Sequence, residues 1–156
     1  MDIPALIQNL YLSHGICRPE HIDLDYTAAK LGFEVHYIPR RSCCLKLAGK
    51  YELIVDKRQN RSVQRVHLAH EMGHAILHTG DQTEIVMWGR LRQEYQARNF
   101  AFEALAPSFM LQSISVLSES LSSLSERFNV PVEWMYERLS SCPVAVAEEK
   151  SEFVAL

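Results

Sequence analysis

Long apolar runs are missing from this 156-residue sequence. No stretch comes near the roughly 20 consecutive apolar residues that a membrane-spanning helix needs. The opening segment MDIPALIQNLYLSHG has no basic region ahead of its apolar residues, so it does not resemble a secretory signal. Internal repeats and long linkers are also absent, which favours one domain. We therefore expect a single-domain cytoplasmic protein.

Cysteine is scarce as well: the chain has four, and no two of them form a C-x-x-C pair. Cys43 and Cys44 are adjacent, whereas Cys17 and Cys142 lie far from them in sequence. This spacing argues against a zinc cluster with cysteine ligands. Without an export signal, the cysteines are expected to be reduced thiols with mostly structural roles.

The composition is that of a globular protein, with 47% hydrophobic and 22% charged residues and a net charge of −3. Positive charge is concentrated in residues 39–65, where eight Lys and Arg residues stand against two acidic ones. This segment therefore carries +6 and the rest of the chain −9. It indicates either an acidic partner or, more simply, a solvated strand edge rich in basic residues.

Apolar spacing along the chain predicts an α+β fold, with a small sheet early and helices later. A helix is expected over 2–13, and Asp23 starts a second one that Gly32 ends. Strands are expected at 33–39 and 51–56, with room for a third between them. Longer helices follow, from about Ser62 to His78 and from about Gln93 to Ala106. We predict one domain over 1–141, with two or three further helices in 108–141 and an extended or loose tail at 142–156.

The segment HLAHEMGHAILH, residues 67–78, holds four histidines and one glutamate among apolar residues. On a helical wheel His74, His67, His78 and Glu71 lie about 40°, 60°, 80° and 100° from His70. The remaining arc is apolar, so the helix is expected to be buried with one narrow ionisable stripe. Buried imidazole and carboxylate groups need partners, because leaving them unpaired is costly.

The H-E-x-x-H pattern within this stripe predicts a metal site. His70 and His74 are one turn apart, so both imidazoles can reach one ion, and imidazole ligands with an open position favour zinc. Glu71 points elsewhere and suits the role of general base toward a water at the metal. The alternative is a pair of hydrogen-bonded core histidines. His67 is expected to line the cleft, and His78 to bond the last carbonyls of its own helix.

A third ligand has to come from elsewhere in the chain, and Glu94 is the favoured candidate. Ala97 and Ala101 share its helix face, and such small residues permit close approach to the histidine helix at Gly73. Asp81 and Glu84 remain alternatives. A further carboxylate, Glu103, falls on the opposite face and is expected to face solvent. The candidates for an oxyanion donor are Tyr51, Tyr95 and His67.

Two motifs resemble those of the ImmA/IrrE family of zinc metallopeptidases. HLAHEMGHAILH is similar to the family's L-A-H-E-x-G-H-x-x-L-H element, and EYQARNFAFEALAP (94–107) to its E-x-x-A-[ND]-x-F-A-x-x-L-L-x-P element. IDLDYTAAKLGFEVHYI, AGKYELIVD and LSSLSERFNVPVEWMYERL resemble its flanking segments, so the likeness covers about 20–140. It implies a minimal gluzincin-like zincin core at about 20–107, with a short, mainly antiparallel sheet packed on the HExxH helix and extra C-terminal helices at 108–141.

The resemblance also implies zinc ligands at His70, His74 and Glu94, with Glu71 as catalytic base. It implies an endopeptidase that acts on a helix-turn-helix transcriptional repressor of a phage or mobile element. From the charge and hydropathy of the chain, we expect no direct binding of nucleic acid and no membrane association. One position departs from the family pattern: Arg98 stands where Asn or Asp is usual. Arginine cannot accept a hydrogen bond from a ligand histidine.

Two other functions are compatible with the sequence. A non-catalytic, zinc-stabilised antirepressor would bind its partner without cutting it, and Glu71→Gln separates this possibility from the enzyme. Direct DNA binding by a helix-turn-helix at LSERFNVPVEWMYERL is disfavoured, because residues 117–141 carry four acidic and two basic residues. The apolar positions of this region are expected to serve packing instead; they are Leu121, Leu124, Phe128, Val130, Trp134 and Leu139.

Overall fold

The computed structural model describes residues 2–78, 87–114 and 119–141, and the predicted tail at 142–156 lies outside them. Within these ranges there are seven α-helices, three strands and a short 3-10 turn at Pro19–His21. The helices are Ile3–Ser13 (α1), Leu24–Lys30 (α2), Arg61–Leu77 (α3), Met87–Leu105 (α4), Ser108–Ser113 (α5), Leu121–Phe128 (α6) and Val132–Ser141 (α7). The strands are Glu34–Ile38 (β1), Cys43–Leu47 (β2) and Lys50–Asp56 (β3). The predicted α+β class is confirmed.

The three strands form one mixed sheet in the order β1-β3-β2. Strands β2 and β3 are antiparallel and joined by Ala48 and Gly49, both with positive φ (49° and 82°), as a tight two-residue hairpin requires. Strand β1 pairs with β3 in parallel. The expectation of a mainly antiparallel sheet therefore holds for only one of the two pairings. The pairing of β1 is parallel because β1 lies next to β3 and not next to β2. Strand β2 lies on the far side of β3, at the edge of the sheet.

Local sequence signals explain where most helices begin. The side chains of Asp2, Asp23, Asn60 and Ser120 each accept a backbone N–H as N-caps of α1, α2, α3 and α6. Gly32, with φ of 80°, follows α2 as predicted. Helix α4 is different, because it begins at Met87 and not near Gln93. Gly89 lies in the first turns of α4. Because glycine has a low helix propensity, the sequence does not indicate this earlier start.

Helix α3 lies at the centre of the molecule, against β3 and β2 on one side and α4 on the other. The core at these contacts includes Leu68, Met72 and Phe100, all nearly fully buried. Helix α1 is fastened to α4 by the Tyr11 hydroxyl, which donates to the Ala104 carbonyl. Among the described residues, no helix is both long and apolar enough to cross a bilayer.

The C-terminal helices α6 and α7 pack into the same core. Leu124, Phe128 and Val130 are buried, and Leu121, Trp134 and Leu139 pack against them. The predicted packing role of these positions is confirmed, which weakens the helix-turn-helix interpretation of this region.

Glu103 does not face solvent, so that expectation is wrong. Only 4% of it is exposed, and its Oε1 accepts from the Arg138 guanidinium at 2.7 Å. Its two oxygens also accept from the hydroxyl and backbone N–H of Ser108 at the start of α5. Arg138 additionally donates to the Ala106 carbonyl. The face of α4 opposite Glu94 is covered by neighbouring helices, and this network joins α4, α5 and α7.

Candidate metal centre

His70 and His74 project from one face of α3, one turn apart. Their Nε2 atoms lie 3.1 Å from each other, and the rings meet edge to face with centroids 4.8 Å apart. The side chains are only 26% and 16% exposed. The helix geometry expected from the i, i+4 spacing therefore brings both imidazoles to one point, at the edge of the buried core.

Glu94 reaches the same point from the facing helix α4. Its Oε2 lies 3.1 Å from His70 Nε2, and its Oε1 lies 3.4 Å from His74 Nε2. The ligand atoms of the three residues all fall within 4.8 Å of one another. Glu94, the carboxylate favoured from the sequence, meets the imidazoles, while the alternatives Asp81 and Glu84 lie outside the described residues.

The donor set fits a divalent cation. For metal–ligand bonds of about 2.0–2.1 Å in a tetrahedral site, ligand atoms stand roughly 3.3–3.4 Å apart, and the three separations observed are 3.1, 3.1 and 3.4 Å. An N–H on one imidazole could donate to only one of the other two ligand atoms. A cation at the centre of the three would instead accept a lone pair from each. Two imidazoles and one carboxylate are also ligands that zinc accepts.

Close packing of α3 on α4 makes this convergence possible. A Cβ on Gly73 would lie 3.0 Å from both Cα and O of Ala97 and 3.1 Å from Cβ of Phe100, so no other residue fits there without a shift. Ala97 and Ala101, on the Glu94 face of α4, are buried. The expectation that small residues bring the two helices together is therefore confirmed.

Glu71 lies next to the three residues but outside their cluster. It is buried, and burial, reinforced by the negative charge of Glu94, raises the pKa of its carboxyl to about 7. A backbone hydrogen bond from Cys44 and the positive charge of Arg41 lower this pKa in part. A general base works best with a pKa near the operating pH, so this environment suits proton transfer near neutrality.

Burial also favours the neutral form of the His74 imidazole. Its pKa is lowered first by burial and then by the neighbouring His70. Neutral imidazole offers the lone pair that a metal needs, so the environment favours ligation over an ion pair with Glu94. The nearby Cys44 thiol is a poor competitor, because burial raises its pKa to about 12.

The cluster opens onto a cleft of about 1450 Å³. One wall is β2 together with the residues that lead into it, and another is α3. The Glu94 side chain is 62% exposed to this space, so the centre is open on one side. A smaller cavity of about 420 Å³ adjoins it, shares Val66, His70 and Glu94, and is otherwise lined by Tyr95, Arg98, Ala101 and Trp134.

His67 lines the cleft, as expected, and its ring is held by a serine that the sequence did not suggest. Ser42 Oγ lies 3.0 Å from His67 Nδ1 and accepts the backbone N–H of Asp56. If the Ser42 hydroxyl donates to Nδ1, the proton of the neutral ring lies on Nε2. Ser42 is 25 positions from His67, and no spacing rule connects them.

The other candidate oxyanion donors differ in position. The Tyr51 hydroxyl is buried and has no hydrogen-bond partner among the described residues, although the residue lines the cleft. Tyr95 is 66% exposed and lines the smaller cavity. His67 is thus the candidate whose ring is both oriented by a partner and placed along the main cleft.

His78 makes a contact other than the one expected. Its Nε2 lies 3.2 Å from the Gln93 carbonyl of α4, not at the last carbonyls of its own helix. Only its backbone N–H bonds within α3, to the His74 carbonyl. The ring therefore joins α3 to α4 beside the cluster and is outside the convergent group.

Arg98 turns away from the role that Asn or Asp would have. Its guanidinium donates to Glu137 of α7 and lies 5.4 Å from the centroid of the Phe102 ring. It thereby ties α4 to α7 at the wall of the smaller cavity. It offers no acceptor to a ligand histidine.

The sequence family described as Peptidase_M78, IrrE N-terminal-like domain, matches residues 26–140. The chain belongs to this family. It is 30% identical over 136 residues to the phage-like element PBSX protein XkdA of Bacillus subtilis (strain 168), which covers 85% of this chain and 69% of that protein. A protein named YqaB from the same organism is 28% identical over 137 residues, covering 86% of this chain and 80% of its own length. The resemblance inferred from the two motifs is confirmed, and M78 membership supports a protease-like or regulator-related role.

Proposed function

We propose that this M78 family member is a zinc-dependent endopeptidase that cuts a helix-turn-helix repressor of a phage or mobile element. The observation that carries the proposal is the convergence of His70, His74 and Glu94 on one point, with the buried carboxylate of Glu71 beside it. Paired imidazoles, a carboxylate ligand and an adjacent base constitute the donor set of metal-assisted hydrolysis.

Zinc held by His70, His74 and Glu94 would supply Lewis-acid activation of the attacking water and of the scissile carbonyl. Glu71 has the position and the raised pKa to accept the proton of the attacking water on a carboxylate oxygen. The same carboxyl then delivers this proton to the leaving amine. Its burial keeps competing hydrogen bonds with bulk water away from the proton transfer.

His67 is our choice for the donor to the carbonyl oxygen of the substrate. With the Ser42 hydroxyl donating to Nδ1, 3.0 Å away, the proton of the neutral ring would lie on Nε2, where it could bond the substrate. Burial lowers the pKa of His67, so the ring is held as a neutral donor. A preorganised donor of this kind stabilises the charge that develops on the oxygen during attack.

A peptide suits the shape of this cleft. Among the described strands β2 is an edge of the sheet, and its residues 43–46 line the cleft. An extended chain can add to such an edge through main-chain hydrogen bonds. The choice of a repressor as substrate rests on the family resemblance. It is supported by the name of the relative XkdA, which assigns that protein to a phage-like element.

The test is to incubate the zinc-loaded protein with each helix-turn-helix regulator encoded beside its gene, and to follow cleavage by mass spectrometry. We expect a single cut by the wild type and none by Glu71→Gln with zinc still bound. Glu126→Gln, at an exposed site on α6, is the matched control and should cut normally. Cleavage by Glu71→Gln at the wild-type rate would overturn the mechanism.

A non-catalytic antirepressor is the second candidate, and Arg98 is the observation that favours it. Its guanidinium is bonded to Glu137, so it cannot orient a ligand histidine as Asn or Asp would. If Glu71→Gln releases the repressor from its operator as well as the wild type does, binding alone is the function.

A further inference from the structure

The cleft beside the candidate metal centre has a strongly basic wall. Arg40 and Arg41 lead into β2, and Lys46 lies near its end; all three are exposed and line the cleft. We refer to Arg40, Arg41 and Lys46 as the basic rim. From Arg41 to Lys46 an extended chain covers about 17 Å, so positive charge flanks the strand edge at both ends.

In the part of the chain that the structure describes, no carboxylate neutralises the charges of the basic rim. Within the described ranges, none of the three residues forms an ion pair, and Lys46 Nζ instead lies over the Tyr51 ring, 5.3 Å from its centroid. Arg58, the fourth cation on the cleft, is different. Its guanidinium makes two hydrogen bonds to the Asp56 carboxylate, at 2.8 and 2.7 Å.

The acidic groups on the cleft are already engaged at other contacts. Asp56 is bound by Arg58, and Glu94 meets the two imidazoles. Glu71 also lines the cleft, but only 8% of it is exposed. The field that an incoming chain meets along β2 is therefore set by the basic rim, and a cleft lined by one sign of charge concentrates ligands of the other sign.

We propose that the segment bound in this cleft is an extended acidic peptide, whose Asp or Glu side chains pair with Arg40, Arg41 and Lys46. The proposal deepens the peptidase function and rests on it for the choice of a peptide ligand. A peptide satisfies the β2 edge and the basic rim together, whereas a nucleic-acid backbone would satisfy only the basic rim.

The experiment measures binding without cleavage, using the zinc-loaded Glu71→Gln protein. The probes are three fluorescent twelve-residue peptides of equal length that carry Glu, Gln or Lys at alternate positions, together with oligo(dT). Affinities are read by fluorescence anisotropy at low and at physiological salt. The test variant is Arg40→Glu/Lys46→Glu, which leaves Arg41 near Glu71 untouched. The matched control is Arg18→Glu/Lys30→Glu, an equal charge change at exposed sites off the cleft.

We expect the Glu peptide to bind tighter than the Gln peptide, and the Lys peptide most weakly. Each exposed ion pair contributes roughly two- to fivefold in affinity, so the test variant should lose about 4- to 25-fold for the Glu peptide at low salt. The control variant should change little, and higher salt should shrink the preference. Equal binding of all three peptides, equal losses in both variants, or tighter binding of oligo(dT) that depends on the basic rim would each overturn the proposal.

This result is separable from the proposed function. An acidic preference that depends on the basic rim, in a protein that cuts no regulator, would support the inference and contradict the peptidase. Cleavage of a regulator, together with equal binding of the three peptides, would support the peptidase and contradict the inference.

Discussion

Replacing Gly73 by alanine should loosen the contact on which the metal centre depends. The added Cβ would stand 3.0 Å from the backbone of Ala97, and because that neighbour is main chain, no rotamer change relieves the overlap. Ala97 lies three residues after Glu94, and Gly73 lies between His70 and His74. The helices must therefore separate at the level of the three ligands.

The expected size of the effect follows from two opposing contributions. Overpacking of a well-packed site costs about 1–3 kcal/mol, and a clash with main chain belongs near the upper value. Alanine gains about 1 kcal/mol over glycine in helix propensity. We therefore expect a net loss of about 2 kcal/mol in the free energy of unfolding of the metal-free protein. Metal–ligand distances tolerate shifts of only about 0.2 Å, so zinc affinity should fall by roughly tenfold or more.

Urea unfolding of the metal-free protein and zinc competition with a chromogenic chelator measure the two quantities. Gly73→Ser, with a larger side chain, should be worse in both. If Gly73→Ala binds zinc like the wild type and is more stable, the close approach of α3 and α4 at this point is wrong.

Three further changes test other parts of the structure. Arg138→Met should cost about 3–5 kcal/mol in urea unfolding because it leaves the Glu103 carboxylate buried and unpaired; a loss under 1 kcal/mol would contradict this. Hydrogen bonds from Arg58 lower the pKa of Asp56 to about 2, so its stabilisation is full above about pH 4 and lost as pH falls toward 2. Asp56→Asn should therefore reduce the difference between the free energies of unfolding at pH 5 and pH 2. An unchanged difference would refute the stabilising role of the ionised Asp56. With a substrate in hand, His67→Phe should lower kcat by roughly 10²–10³-fold with little change in KM, whereas an equal rise in KM would indicate a binding role only.

Much of the candidate metal centre could be predicted because the positions of its residues follow from the periodicity of single helices. The i, i+4 spacing of His70 and His74 fixes their common face once α3 is recognised. The run of Ala97 and Ala101 after Glu94 marks the face of α4 that lies close to α3. These features need only helix geometry and the size of side chains, both of which are read directly from the sequence.

The errors fall where distant segments decide the outcome. The periodicity of α4 shows only that Glu103 lies opposite Glu94, which predicts exposure to solvent. The arginine that pairs with it in the core, Arg138, is 35 residues further along the chain. The parallel pairing of β1 with β3 depends on where β2 crosses, which alternating burial does not reveal. Two further contacts also depend on distant segments. His78 contacts α4 rather than its own helix, and Ser42, just before β2, orients His67 of α3.

Metal content decides whether His70, His74 and Glu94 form a metal site. Purified protein is stripped, reloaded with cobalt(II) and assayed for stoichiometry and for the visible absorption of the bound ion, in the wild type and in His74→Ala, Glu94→Ala and the control Glu126→Ala. We expect one tightly bound ion per chain, with the strong visible bands of a low coordination number. Binding should be retained in the control and lost or severely weakened in the other two variants. Undiminished binding in His74→Ala and Glu94→Ala, or no binding by the wild type, would contradict this assignment.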